Sequence, residues 1–337
     1  MAEVPRSVQA LSVSGAVPPE FVRLEHDQPG AATFQADSEL EAPVIDMAKP
    51  DCGARVADAA TEWGSFQVVN HGVPAAAVAE LQRVGRAFFA LPQEEKDPAS
   101  GSIEGYGVGT RARRNLAGKK MWADFFYHYV APPAIVNHEI WPSNPTGYRE
   151  ANEEYCRHMQ RLTRELFEHL STGLGLEKGA MGEAFGGDDL VLLQKINSYP
   201  PCPQPDVVLG VGSHTDMCTL TILLPNHARL GAPGLQGRPL ARRQLHTRGT
   251  RRPHRRPDRV QFYLTYWQPR NGRYKAGVHR AVVNKDKTRM SWPVFVEPPK
   301  GLVVGPHQLL ATDDNPAKYK AKKYKDYQYC KINLLPH

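Results

Sequence analysis

The chain has 337 residues, 41% of them hydrophobic and 23% charged, enough for one large core with helical additions or for two smaller domains. No run of about 18 apolar residues offers a membrane span, and five scattered cysteines, an odd number, argue for free thiols rather than a disulfide framework. The formal net charge of +7 has one source: ten arginines and a single aspartate lie between Arg229 and Arg259, so no chain-wide basic face for nucleic acid is indicated.

Residues 1–42, rich in Pro, Ala and Ser, read as an irregular arm. The chain's start has neither the basic region nor the long apolar stretch of a secretory leader, so a cytoplasmic protein is expected. Residues 43–185 mix helices with a few strands. "APVIDMA" (42–48) and "GSFQVVNHG" (64–72) read as short strands, and residues 75–90 bring Val78, Leu81, Val84 and Phe88 near one helical face. "GYGVGT" (105–110) reads as a glycine-rich turn; no amphipathic helix follows it directly, which excludes a dinucleotide fingerprint. Tyr155, Met159, Leu162, Leu166, Leu170 and Leu174 recur at three- and four-residue steps and predict a longer helix. From about Leu190 the texture turns to β: "LVLLQKINSYP", "TLTILLP", "HRAVVN" and "RMSWPVFVEP" are short, branched or aromatic, and bounded by turn residues. Residues 190–300 therefore read as a β core, followed by a C-terminal segment over 301–337.

Residues 237–261, "GRPLARRQLHTRGTRRPHRRPDRVQ", break that texture within an anomalous span from 227 to 270. They follow neither the helical nor the strand period and carry few large apolar side chains, so no core strand is expected there. Three readings stay open: a solvated insertion, an arm for nucleic acid, or the Arg, Pro, His and Gly mix of a GC-rich gene read out of frame.

"SHTDMCTLTILLPN" (213–226) sets His214 and Asp216 two positions apart at the head of a strand-like run. Side chains at i and i+2 of a strand share a face about 6 to 7 Å apart, so both can reach one ion. Taken alone, the pair is equally a strand cap and a turn residue. His279, opening "HRAVVN", offers a third ligand. Two imidazoles and a carboxylate on one face of an octahedral ion are the donor set of non-haem Fe(II) oxygenases, which puts iron ahead of zinc. Further on, Arg289, Ser291, Pro293, Phe295 and Glu297 alternate with Met290, Trp292, Val294 and Val296. An arginine beside a serine hydroxyl makes a fork for a carboxylate, while a ring and a carboxylate on the same face could hold an aromatic, hydroxylated molecule. Lys195, Asn197 and Tyr199 alternate in the same way along "KINSYPP". His71 and His128 have no partner at ligand spacing and read as structural.

H-T-D, a distal H-R, and R-x-S ten residues beyond that histidine together resemble the signature of the plant 2-oxoglutarate- and Fe(II)-dependent dioxygenases. "PVIDM", "WGSFQVVNHGVP", "FFALPQEEK", "NSYPPCPQPD", "NKDKTRMSWPVFVEPP" and "YKDY" look like further landmarks of that family, covering most of the chain outside 227–270. Within the family the chain is most similar to the flavonol synthases, with the anthocyanidin synthases as near relatives. "PPEFVRLEHDQP" (18–29) and "CTLTILLP" (218–225) reproduce flavonol synthase elements with substitutions at Val22, Asp27, Cys218 and Leu224.

The resemblance implies an α+β fold, a double-stranded β-helix or jelly roll with flanking helices. It also implies a monomer acting on a small flavonoid, with no nucleic-acid or membrane partner. His214, Asp216 and His279 would hold Fe(II). Arg289 and Ser291, helped by Tyr199 and Asn197, would bind 2-oxoglutarate. Lys195, Phe295 and Glu297 match substrate-contacting positions, as do Phe125 and Tyr127, although Phe125 stands where a polar residue is common. O2 and ascorbate complete the implied requirements, and the implied reaction is conversion of dihydroflavonols to flavonols. Because the pattern lapses over 227–270, strands neighbouring the one with His279 are expected to be missing. A catalytically impaired relative or mistranslated product is therefore the alternative, and a nucleic-acid-binding protein using the arginine run is a weaker one.

Overall fold

The computed structural model describes residues 7–29, 42–96, 104–109, 119–225, 259–264, 271–333 and 335. The first half of the chain runs through α1 (Val8–Ser14), β1 (Val44–Asp46), α2 (Cys52–Glu62), β2 (Ser65–Val69), α3 (Ala75–Ala90) and α4 (Gln93–Lys96). It continues with β3 (Gly105–Val108), β4 (Asp124–Ala131), α5 (Tyr148–Gly173) and α6 (Ala180–Ala184). The β-rich half follows as β5 (Val191–Tyr199), β6 (Leu209–His214), β7 (Leu220–Pro225), β8 (Val260–Leu264), β9 (His279–Val282) and β10 (Arg289–Glu297). Two short strands, β11 (Val303–Val304) and β12 (Lys322–Lys323), lead to the last helix, α7 (Tyr324–Ile332).

Eight strands form one sheet in the order β1-β2-β8-β7-β10-β5-β4-β3, while β6 and β9 pair as a second, two-stranded sheet. Only the β1–β2 ladder of the large sheet is parallel. This is the jelly-roll architecture, with strands from both halves of the chain in one sheet. None of the described helices is long and apolar enough to cross a membrane.

The alternation of β10 sets the layering. Met290, Trp292, Val294 and Val296 are buried in the main core with Ile196 of β5 and with Leu81, Val84 and Phe88 of α3. Burying one such aliphatic side chain is worth roughly 1.5–3 kcal/mol. α3 approaches so closely at Gly85 that a Cβ there would lie 2.6 Å from Trp292 Nε1, which is why that turn carries no side chain. The three- and four-residue repeat of α5 buries Tyr155, Met159, Leu162, Leu166 and Leu170 in the same core. The helices thus cover the outer face and leave the inner polar face of the sheet for chemistry.

Several expectations need correcting. The arm is not irregular throughout: Val8–Ser14 is helical, begun by Ser7 Oγ accepting Ala10 N–H. Val8, Leu11 and Phe21 pack with Trp122, Tyr199 and Val208 in a second apolar cluster. "GYGV" is not a turn but β3, paired antiparallel to β4. A core strand does begin inside the arginine-rich stretch: Val260 and Gln261 open β8, all five residues of which are buried between β2 and β7. The short β-rich run after the last arginine carries this strand, and averaging it with the polar residues before it hides its period. The rest of that stretch, residues 237–258, lies outside the described residues. Among the described residues β9 has one partner, β6, with which it forms the two-stranded sheet, so one neighbour of the His279 strand is present.

Candidate metal and co-substrate site

His214 ends β6 and His279 begins β9, and the ladder sets the two directly opposite each other. Antiparallel pairing thereby converts a 65-residue separation into ring centroids 4.3 Å apart. Asp216 lies beyond the end of β6 rather than on the strand face that the i, i+2 spacing predicts. The backbone leaves the strand there and brings the carboxylate to the Nε2 atoms of both rings. His214 Nε2 is 3.2 Å from Asp216 Oδ1, and His279 Nε2 is 3.6 Å from Oδ2. One ligand atom from each residue falls within 4.8 Å of the others, the only such His, Cys, Asp and Glu cluster among the described residues.

The tautomers suit a metal. His214 Nδ1 faces Gly212 O at 2.8 Å and His279 Nδ1 faces Gly277 O at 3.2 Å. A carbonyl can only accept, so each Nδ1 carries a proton and each Nε2, once unprotonated, is the nitrogen that offers a lone pair to the centre of the cluster. The Asp216 carboxylate is steadied by Thr221, whose hydroxyl donates to Oδ2 at 2.6 Å. The Tyr263 ring stacks on His279 with centroids 4.1 Å apart. Burial acts to raise the Asp216 carboxyl. The His279 charge and the hydrogen bonds from His214 and Thr221 overcome it and hold the group well below the usual carboxylate range. Burial pushes His279 down to about 4. His214 is also desolvated, yet its bond to Asp216 carries it above the ordinary value. Metal ligation needs the bare lone pair, so cation uptake is coupled to loss of the His214 proton. Two neutral imidazoles and an ionised carboxylate in a buried cluster are a donor set that fits Fe(II).

The neighbouring strands bring the remaining residues to the same face. Across the sheet, Tyr263, Thr221 and Phe295 stand opposite one another on β8, β7 and β10. A second row joins Ser291, Asn197 and Phe125 on β10, β5 and β4, with Arg289 opposite Tyr199 and Tyr127 opposite Lys195 beside it. Asn197 Nδ2 donates to Ser291 Oγ at 3.2 Å, and the Arg289 guanidinium lies 5.0 Å from the Tyr199 ring centre. Arg289 Nη1 and Asn197 Oδ1 are both buried with no hydrogen-bond partner among the described residues. An unpaired buried guanidinium nitrogen costs on the order of 1–3 kcal/mol, and a carboxylate is the ligand that relieves it. These residues therefore fit the distal end of a keto-diacid. The Lys195 ammonium sits 4.4 Å from the centre of the Phe125 ring. Glu297 is buried, which pushes its carboxyl up to about 7, and its Oε2 accepts from Gln328 Nε2 at 3.4 Å.

Every residue assigned to the site from the sequence thus lies on this inner face or in the cluster it borders. His128 does not: it is fully buried, bonded to the Tyr148 hydroxyl at 3.0 Å and packed on Trp141, and its pKa is pushed down to about 3 by desolvation. Sequence reading missed Thr221 and Tyr263. Thr221 alternates in phase with the inner face of β7 and could have been found; Tyr263 sits on the strand hidden behind the arginine run.

Comparison with known proteins agrees with this geometry. The family described as "non-haem dioxygenase in morphine synthesis N-terminal" matches residues 42–144, and the "2OG-Fe(II) oxygenase superfamily" matches residues 189–298. The chain is 48% identical to a flavonol synthase/flavanone 3-hydroxylase of Petunia hybrida, over 95% of this chain and 91% of the relative. It is 46% identical to that of Eustoma exaltatum subsp. russellianum over 99% of both, and 44% identical to that of Arabidopsis thaliana over 95% and 94%. Among solved structures, JOX2 in complex with 2OG, Fe and JA superimposes with a TM-score of 0.82 at 30% identity, covering 97% of this chain and 93% of that one. The chain belongs to the 2OG-Fe(II) oxygenase superfamily, in its flavonol synthase-like group, and is an enzyme dependent on Fe(II) and 2-oxoglutarate.

Proposed function

We propose that this dioxygenase oxidises the C-ring of dihydroflavonols to flavonols, as a monomer in the cytoplasm, with ascorbate keeping the metal ferrous. The observation that carries the reading is the shared inner face. The His–Asp–His cluster borders one side, and the Phe125 ring and Lys195 ammonium border the other, with Phe295 and Glu297 on β10. Such a face suits a flat, aromatic, polyhydroxylated molecule. The names of the relatives at 44–48% identity support the same substrate class.

In this reading His214, Asp216 and His279 hold Fe(II), and Arg289 and Ser291, with Asn197 and Tyr199, grip the distal carboxylate of 2-oxoglutarate. Bound there, the metal and co-substrate supply a two-electron oxidation in which 2-oxoglutarate and O2 end as succinate, CO2 and water while the flavonoid loses two hydrogens. The protein's own residues do the positioning. Lys195, Phe125 and Tyr127 set the far edge of the substrate and Phe295 packs on its rings. Glu297, titrating near neutrality, donates to or accepts from a flavonoid hydroxyl. The test is conversion of dihydroquercetin with Fe(II), 2-oxoglutarate and ascorbate, compared with His214→Ala. Wild-type turnover to the flavonol with none in the variant is expected; equal turnover overturns the proposal.

A further inference from the structure

The turn that carries Asp216 has left the β6 ladder, so strand pairing does not hold its backbone. The C-terminal helix lies against it instead. Tyr324, Gln328 and Lys331 follow an i, i+4, i+7 spacing along one face of α7. Tyr324 Oη donates to Met217 O at 3.2 Å, and Gln328 reaches Glu297. Lys331 Nζ donates twice, to Thr215 Oγ1 at 2.7 Å and to Asp216 O at 2.8 Å. The Lys331 ammonium also lies over the Tyr327 ring, 6.0 Å from its centre.

From this geometry we infer that Lys331 is a positioning residue, which fixes the turn between His214 and Asp216 in the conformation that binds metal and so ties the C-terminal helix to metal affinity. The chemistry of the contact favours that role over simple packing. Both bonds go to the back of the turn, a hydroxyl and a main-chain carbonyl, so the ammonium does not compete for the carboxylate oxygens that face the histidines. Charge-assisted donors to an otherwise unladdered carbonyl are strong and directional. Groups that orient a ligand from behind typically carry 10–100-fold in metal affinity.

The inference rests on the metal reading of the cluster, and its test separates the two. The full-length chain, freed of metal, is titrated with Co(II) as a redox-stable probe and followed by its visible absorption. Wild type should bind and His214→Ala should not; a wild-type chain that takes up no Co(II) overturns the metal reading and the inference together. Lys331→Met, which keeps the stem and removes the donors, should weaken Co(II) binding by about tenfold. Its metal-free thermal midpoint and its KM for 2-oxoglutarate at saturating metal should stay at wild-type values, and Lys331→Arg should restore most of the affinity. Unchanged Co(II) affinity in Lys331→Met overturns the inference while leaving the metal reading intact, as does a parallel loss of affinity and folding stability. Should Lys331→Met fail to fold, Thr215→Val removes one acceptor alone: weakening of about threefold supports the inference, and wild-type affinity overturns it.

Discussion

Arg289 and Asp216 differ in how far their neighbours satisfy them. Asp216 must stay ionised while buried, and two imidazoles and the Thr221 hydroxyl achieve this. Arg289 has one guanidinium nitrogen buried with no hydrogen-bond partner among the described residues, which leaves a hydrogen bond for an incoming carboxylate. Removing that donor set in Arg289→Met forfeits charge-assisted bonds worth about 1.5–3 kcal/mol. The expected result is a rise of about 10–100-fold in the KM for 2-oxoglutarate, read from initial rates, with Fe(II) affinity unchanged. At this scale the sequence was informative wherever function imposes a pattern. His214, Asp216 and His279 stand out by residue type, and Arg289 and Ser291 by their phase along one strand. Tyr263 and Lys331 do not, because stacking on a ligand and bracing a turn from behind demand no fixed spacing in the chain.

β10 organises the elements, since its two faces separate the helix-packed core from the site and its period of two is readable directly in "RMSWPVFVE". The long helix α5 is readable for the same reason at period 3.6. β3 and β8 are harder: the first is built on glycines, and the second is five buried residues with no polar alternation. α1 depends on a distant group, because Asp124 of β4 accepts the Val8 and Gln9 N–H groups at 2.9 and 3.0 Å. Burial nonetheless outweighs these bonds and pushes the Asp124 carboxyl up to about 6. A carboxyl raised on folding holds its proton more tightly in the native state, so its contribution to stability is present at low pH and is lost as pH rises through about 6. Asp124→Asn keeps an acceptor without the charge. Relative to wild type it should therefore gain about 2–3 kcal/mol between about pH 4 and about pH 7, in urea unfolding at each pH. A pH-independent difference would refute this account of the α1 tether.

Across the whole molecule, the jelly roll brings residues from distant parts of the chain to one face of the sheet while the helices seal the other. Strand order is the part the sequence could not give. The placement of β8 between β2 and β7 joins segments nearly 200 residues apart, and only the buried faces they share dictate it. The excess charge is equally a matter of one stretch, since the arginine run supplies it and the inner face is built from other segments. Three side chains, from two paired strands and the turn that follows one of them, are placed to meet at one ferrous ion. The most direct test is anomalous diffraction at the iron edge from crystals grown anaerobically with Fe(II) and 2-oxoglutarate. A single peak between His214 Nε2, His279 Nε2 and the Asp216 carboxylate is predicted, whereas a folded chain with iron bound elsewhere, or with none, would contradict it.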